Sequence, residues 1–209
     1  MADLSGIGGV LDRLGEALSV QANDVWRSLR PPVAEADLDA LGQAVAPYEV
    51  PNEVVALLRW ADGQEWDAPW FPAFEAGRLL SASEAARHYE WLVAEAAPGA
   101  PYSLLVPIVH EGWSQVGVEL VGNGPGAVVD YSFGDDLRVR APTLAAMLDV
   151  AAEMVVAGIG EPKEGEDARD WRARREEMAA KRPGWDSWRY DRVLSLLLSD
   201  TLGGDGGGR

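Results

Sequence analysis

His88 and His110 are the only imidazoles among 209 residues, and the chain has no cysteine. His88 falls beside the apolar stripe of a helical stretch and His110 at the end of a strand-like one. No spacing pairs them as metal ligands, so both read as structural or solvent-facing. Without cysteine, thiolate nucleophiles, disulfides and Cys-ligated metals are excluded. Gly112-Trp113-Ser114-Gln115-Val116-Gly117 superficially looks like a nucleophile elbow. Its second glycine comes one position late, however, and a strand follows where the elbow requires a helix. The Gly122–Gly126 turn also leads into a strand, so no helix N-terminus is available to receive a phosphate. Glu119 and Asp130 could face each other across a hairpin and do acid–base work. In a chain with 34 acids such pairs arise by chance, and outward-facing, solubilising carboxylates are the better reading. The residues therefore predict no catalytic group, no metal and no cofactor.

The elements that would carry these residues follow from periodicity. Val116, Val118 and Leu120 alternate with Gln115, Gly117 and Glu119, the signature of a half-buried strand. Val128, Val129 and Tyr131 form a second β-prone run, and Gly122-Asn123-Gly124-Pro125-Gly126 between them is turn chemistry. This pair reads as the central hairpin of a sheet. Upstream, Ile7, Val10, Leu11, Leu14 and Leu18 give an amphipathic helix that can continue through Ala22, Val25, Trp26 and Leu29 to Pro31-Pro32. It is either a docking or dimerisation helix or, more economically, one packed on its own domain. Residues 35–46 form a second helix with Leu38, Leu41 and Val45 on one side. Pro51 opens a third that buries Val54, Leu57 and Leu58 and ends at Asp62-Gly63-Gln64.

From Gln64 to Gly77 the chain places Trp66, Trp70, Phe71 and Phe74 among prolines and three acids. Phe71 and Phe74 read as core plugs; for Trp66 and Trp70 the choice between plug and exposed interaction surface stays open. Arg78-Leu79-Leu80 is a short strand, and Ser81-Ala82-Ser83-Glu84 is a capping box. The helix it starts has Ala85, Tyr89, Leu92, Val93 and Ala96 as its stripe. Leu104–Val109 is a strand that Pro107 confines to an edge or a bulge. Leu137 to Arg140 is a last strand, and Thr143 caps a helix with Leu144, Met147, Leu148, Ala151, Met154 and Val155 on one face. Gly158 or Gly160 closes it. Residues 161–182 are charge-dense and helix-prone, and the final GGDGGGR is a flexible tail.

Composition, at 47% hydrophobic and 25% charged, allows an ordinary core. The net charge of −16 is concentrated: residues 1–160 hold 23 acids and 8 bases, whereas residues 161–200 hold 10 and 9. Such a field repels nucleic acid and speeds encounter with a basic partner, though plain solubility explains it too. No signal peptide and no membrane-length apolar run is evident, so a soluble, cytosolic protein is expected.

The ordered set Leu29-Arg30-Pro31-Pro32, Leu57-Leu58-Arg59-Trp60, Asp62-Gly63-Gln64, Arg78-Leu79-Leu80-Ser81 and Ser83-Glu84-Ala85 continues downstream. There follow Leu105-Val106-Pro107-Ile108, Gly117-Val118-Glu119-Leu120, Gly124-Pro125-Gly126 and Ala141-Pro142-Thr143-Leu144. Over about residues 26–158 this closely resembles the SUKH superfamily, which includes a fungal cell-wall-synthesis regulator and bacterial immunity proteins of polymorphic toxin systems. The family often carries a tryptophan-and-proline segment where this chain has Pro101-Tyr102-Ser103-Leu104-Leu105, and the stretch from residue 161 lies outside its pattern. The resemblance implies an α+β fold, a mixed, largely antiparallel sheet with helices around it, and a non-enzymatic binder that neutralises a toxin.

The expected organisation is an N-terminal amphipathic helix (1–25), a SUKH-like domain (26–160), a helical appendage (161–201) and a flexible tail (202–209), with a homodimer through the terminal helices as one option. The expected function is immunity by occluding a basic, nuclease-type bacterial toxin. The partner surface would combine Asp62, Glu65, Trp66, Asp67 and Trp70 with Trp113, Asp135 and Asp136: tryptophan anchors ringed by acids. A regulatory scaffold with several partners is the alternative, and a carboxylate hydrolase a distant third.

Overall fold

The computed structural model describes residues 5–72, 77–95, 101–111, 114–120, 126–132 and 138–158, together with Asp170, Ala173 and Glu177, which are helical and exposed. In chain order the elements are α1 (Ser5–Gln21), α2 (Asn23–Ser28), α3 (Glu35–Ala44), α4 (Asn52–Trp60), β1 (Arg78–Leu79) and α5 (Ala82–Glu95). A short 3-10 turn (Pro101–Leu104), β2 (Leu105–Glu111), β3 (Ser114–Glu119), β4 (Val128–Ser132), β5 (Arg138–Ala141) and α6 (Leu144–Val156) complete the described fold. It is α+β, with the five strands in sequence order in one sheet and every pairing antiparallel.

Helix α1 buries Ile7, Val10, Leu11, Leu14 and Leu18, the stripe read from sequence, and packs along α6. Arg13 and Asp149 pair across the two helices at 2.6 Å. Its apolar face is thus filled within the chain, and the packing reading of this helix is the correct one. The helix does not run on unbroken to Leu29: it breaks at Ala22, where the backbone leaves helical geometry. The change of direction lets Val25 enter the core while Trp26 packs on Trp60, ring centroids 6.1 Å apart. Gly15 leaves room for that pair, since a Cβ there would sit 3.2 Å from the Trp26 ring.

Side chains secure the start of α6. Thr143 Oγ1 accepts from the Ala146 N–H at 3.0 Å, capping α6 as expected. Glu53, in the first turn of α4, adds a second cap from outside: its Oε2 accepts from Leu144 N and Ala145 N at 2.8 and 3.3 Å. At the other end Gly158, at φ +66°, closes α6.

Pro107 marks a bulge, with the β2–β3 register shifting between Pro107 and Val109. Strand β3 departs from the expectation of half burial. Val116, Val118 and Leu120 face the main core, but Gln115 and Glu119 on the other face are also buried. A second apolar cluster of Leu92, Leu105, Ala127, Val129 and Tyr131 covers that side. Tyr131 Oη donates to Gln115 Oε1 at 2.9 Å within it. Glu119 is therefore no solubilising acid, and burial pushes its carboxyl above the usual range against the Ala127 N–H that lowers it. Nor does it face Asp130, which pairs with Val116 and lies on the opposite face, bonded to Arg140.

Helix α5 buries Ala85, Ala86, Tyr89 and Leu92, whereas Val93 is 44% exposed and not part of the stripe. Ala96, Phe74, the 121–125 turn residues, the three isolated positions apart the 161–201 appendage, and the 202–209 tail lie outside the described residues. Among the described residues no helix is long and apolar enough to cross a membrane.

Candidate functional site

The junction between α4 and α5 sets the geometry of the site. Gly63 adopts φ +78°, and a Cβ there would lie 2.5 Å from the Ser81 backbone nitrogen, so only glycine fits. This close approach turns Asp62 toward α5, where Oδ1 accepts from Ala82 N at 2.7 Å. Burial raises the Asp62 carboxyl, and that N–H works against it. Gln64 is fully buried: Oε1 accepts from Leu79 N at 3.0 Å, while Nε2 donates to Ser28 Oγ and to the Pro69 carbonyl at 3.0 and 3.2 Å. Glu65 N donates to Ser28 O, and the fully buried Phe71 donates its N–H to Gly77 O.

The loop after Gln64 is therefore tied at both ends, and what it presents between them is aromatic and acidic. Trp66 is 75% and Trp70 55% exposed, with Glu65 and Asp67 exposed beside them. Phe71 is the plug that its position suggested; the two indoles are surface.

The exposed Trp66 ring lies on the Arg78 guanidinium, 4.5 Å from its centroid. Arg78, itself buried, holds Glu84 with two hydrogen bonds of 3.1 and 2.9 Å. Arg30 reaches the same carboxylate at 3.4 Å. The capping box is also reciprocal, with Ser81 N donating to Glu84 Oε2 and Glu84 N to Ser81 Oγ. Burial alone would raise the Glu84 carboxyl, but Arg78 and Ser81 outweigh it and hold it at about 2.

One turn further along α5, His88 packs against His110, ring centroids 4.2 Å apart and planes tilted by 40°. Strand register brings them together, because His110 is the direct partner of Arg78 in the β1–β2 pair. Both imidazoles are held below their usual pKa. Burial is the main cause; for His88 the His110 ring and nearby arginines add to it, and for His110 Arg78 does. His110 Nδ1 is enclosed and has no hydrogen-bond partner among the described residues. Together with Trp66, Arg78 and Glu84, the two histidines, Arg87 and Trp91 line a groove of about 420 Å³.

Of the residues singled out in the sequence, Glu65, Trp66, Asp67 and Trp70 are all exposed on the one loop between Gln64 and Phe71. Asp62 is adjacent but half-buried, its carboxylate engaged with Ala82. Trp113, Asp135 and Asp136 lie outside the described residues. Sequence reasoning missed Arg78, Arg87, Trp91 and the histidine pair. Glu84, Arg87, His88 and Trp91 do recur at the spacing of one helix face, a usable signal. The approach of His110 depends on strand register and is not local. Chemically the groove offers aromatic faces, cations and neutral imidazoles; among the described residues no cluster of three His, Asp or Glu is placed to hold a metal ion.

No family model matches the chain, and no curated protein matches it in sequence.

Proposed function

We propose that this chain is a non-enzymatic binding protein of the SUKH immunity type, which neutralises a basic bacterial toxin domain, of the nuclease kind, by docking over its active site. The observation that carries the reading is the loop bearing Glu65, Trp66, Asp67 and Trp70. Two indoles stand 75% and 55% exposed on a segment whose ends are fixed by Gln64 and Phe71. An indole presents on the order of 150–250 Å² of mostly apolar surface, worth about 25 cal/mol per Å² when covered. A loop already held in place loses little entropy on binding, so most of that gain goes into affinity. The two acids beside the indoles and the −15 charge of residues 1–160 select a cationic partner and accelerate its approach.

The test is capture of partners from the native cell lysate at low and then high salt, followed by a nuclease assay on the captured protein with and without this chain. One basic toxin domain, retained at low salt, weakened at high salt and inhibited by this chain, is the expected result. Trp70→Ala, which leaves the Arg78 stack intact, should weaken that binding at least about tenfold. Several unrelated household proteins would be the pattern of a regulatory scaffold instead, and unchanged binding by Trp70→Ala would remove the loop from the interface.

A further inference from the structure

We propose that the groove between α5 and the β1 edge of the sheet binds a small planar anion, an aromatic ring bearing a carboxylate. The inference stands apart from the docking loop, with which it shares only Trp66. At about 420 Å³ the groove lies within the ~300–1,000 Å³ typical of ligand sites and has room for one ring system with a short acid arm. Trp66 and Trp91, 75% and 44% exposed, both line it. Indoles gathered in a concavity offer a ring stacking partners that flat surface tryptophans do not.

Charge selects the rest of the ligand. Residues 1–160 contain only eight basic residues, all arginine, and three of them, Arg30, Arg78 and Arg87, gather around Glu84. The Glu84 carboxylate is already matched: Arg78, Arg30 and the Ser81 N–H all donate to it. Arg87 is exposed and makes no hydrogen bond or ion pair among the described residues. The groove thus carries one guanidinium in excess inside an otherwise acidic body. A cationic ligand would meet Arg87 and Arg78, and a neutral ring would leave Arg87 unused. A carboxylate on the ring would take a charge-assisted hydrogen bond from it. The histidines add polar surface without adding charge. With His110 Nδ1 enclosed and lacking an acceptor, an N–H there would be orphaned, so the ring's proton resides on Nε2.

The experiment is a titration of the full chain, 15N-labelled at the tryptophan indoles, with indole-3-acetate. Neutral indole and cationic tryptamine are the controls, and Trp66→Ala and Trp91→Ala assign the two signals. Saturable shifts of the Trp66 and Trp91 indole N–H signals are expected with indole-3-acetate. Affinity for indole and for tryptamine should be about tenfold lower or worse, the value of one charge-assisted hydrogen bond. Arg87→Ala should weaken indole-3-acetate to the level of indole, with an unchanged thermal melt because the side chain is exposed and has no partner among the described residues. No saturable shift at millimolar ligand, equal response to the three probes, or full affinity in Arg87→Ala would each overturn the proposal.

Discussion

Gln64 makes three hydrogen bonds with no exposed surface, joining the end of α2, the tryptophan loop and β1. Replacing it by leucine keeps the volume but strands the buried Leu79 N–H. A buried group left unsatisfied costs about 1–3 kcal/mol, so Gln64→Leu should lower unfolding stability by about that amount, read from urea denaturation. No feature of a glutamine after Asp-Gly announces burial in the sequence; only the convergence of the Ser28 hydroxyl and the Pro69 and Leu79 backbone groups requires it. The histidine pair belongs to the same class of hidden residue. Both rings have folded-state pKa values below the ordinary 6.5, so the native state takes up these protons later than the unfolded chain. The stability that the neutral pair contributes is present in full above about pH 6.5 and is lost as pH falls through the folded values. An NMR titration should show two midpoints, both below 6.5; a midpoint at or above 6.5 would contradict the half-buried contact of the two rings.

Elements were legible where their signals are local. The capping box at Ser81, the Thr143 cap, the Pro107 bulge and the stripes of α1, α4 and α6 depend on residues a few positions apart, and each forms as its pattern predicts. The break at Ala22, the exposure of Val93 and the double burial of β3 depend on what packs from elsewhere. Gly117 shows the difference. By β-propensity alone alanine or valine would suit the middle of a strand better than glycine. Yet a Cβ at Gly117 would lie 3.1 Å from Leu105 Cβ and 3.2 Å from the Tyr131 ring, which belong to the second cluster. Gly117→Ala should therefore destabilise by about 1–3 kcal/mol through overpacking, seen as a lower melting temperature; a rise in melting temperature would mean that the Tyr131 side of the sheet yields freely. The candidate site was half legible for the same reason. Its loop is a contiguous run of tryptophans and acids, whereas its groove is assembled from α5, β1, β2 and that loop.

Residues 1–160 are an acidic body in which positive charge is placed sparingly, and Arg78 and Arg87 in the α5 groove, with Arg30 on the Glu84 carboxylate, are an exception within it. Long-range charge and groove charge should respond differently to salt. Partner association should slow steeply as ionic strength rises past the point where the Debye length is about 10 Å. Unfolding midpoints should move little, since the Arg78–Glu84 pair is largely shielded from solvent; stopped-flow mixing and denaturant titration separate the two. The packing of α1 on α6 has a consequence in time. Arg13 and Asp149 stand 136 positions apart, and at about 5–20 residues per second of synthesis the stripe from Ile7 to Leu18 leaves the ribosome on the order of ten seconds before α6 exists to cover it. Until then α6 cannot cover this stripe, and nascent chains arrested at residue 143 should cross-link to a chaperone through it while finished chains do not.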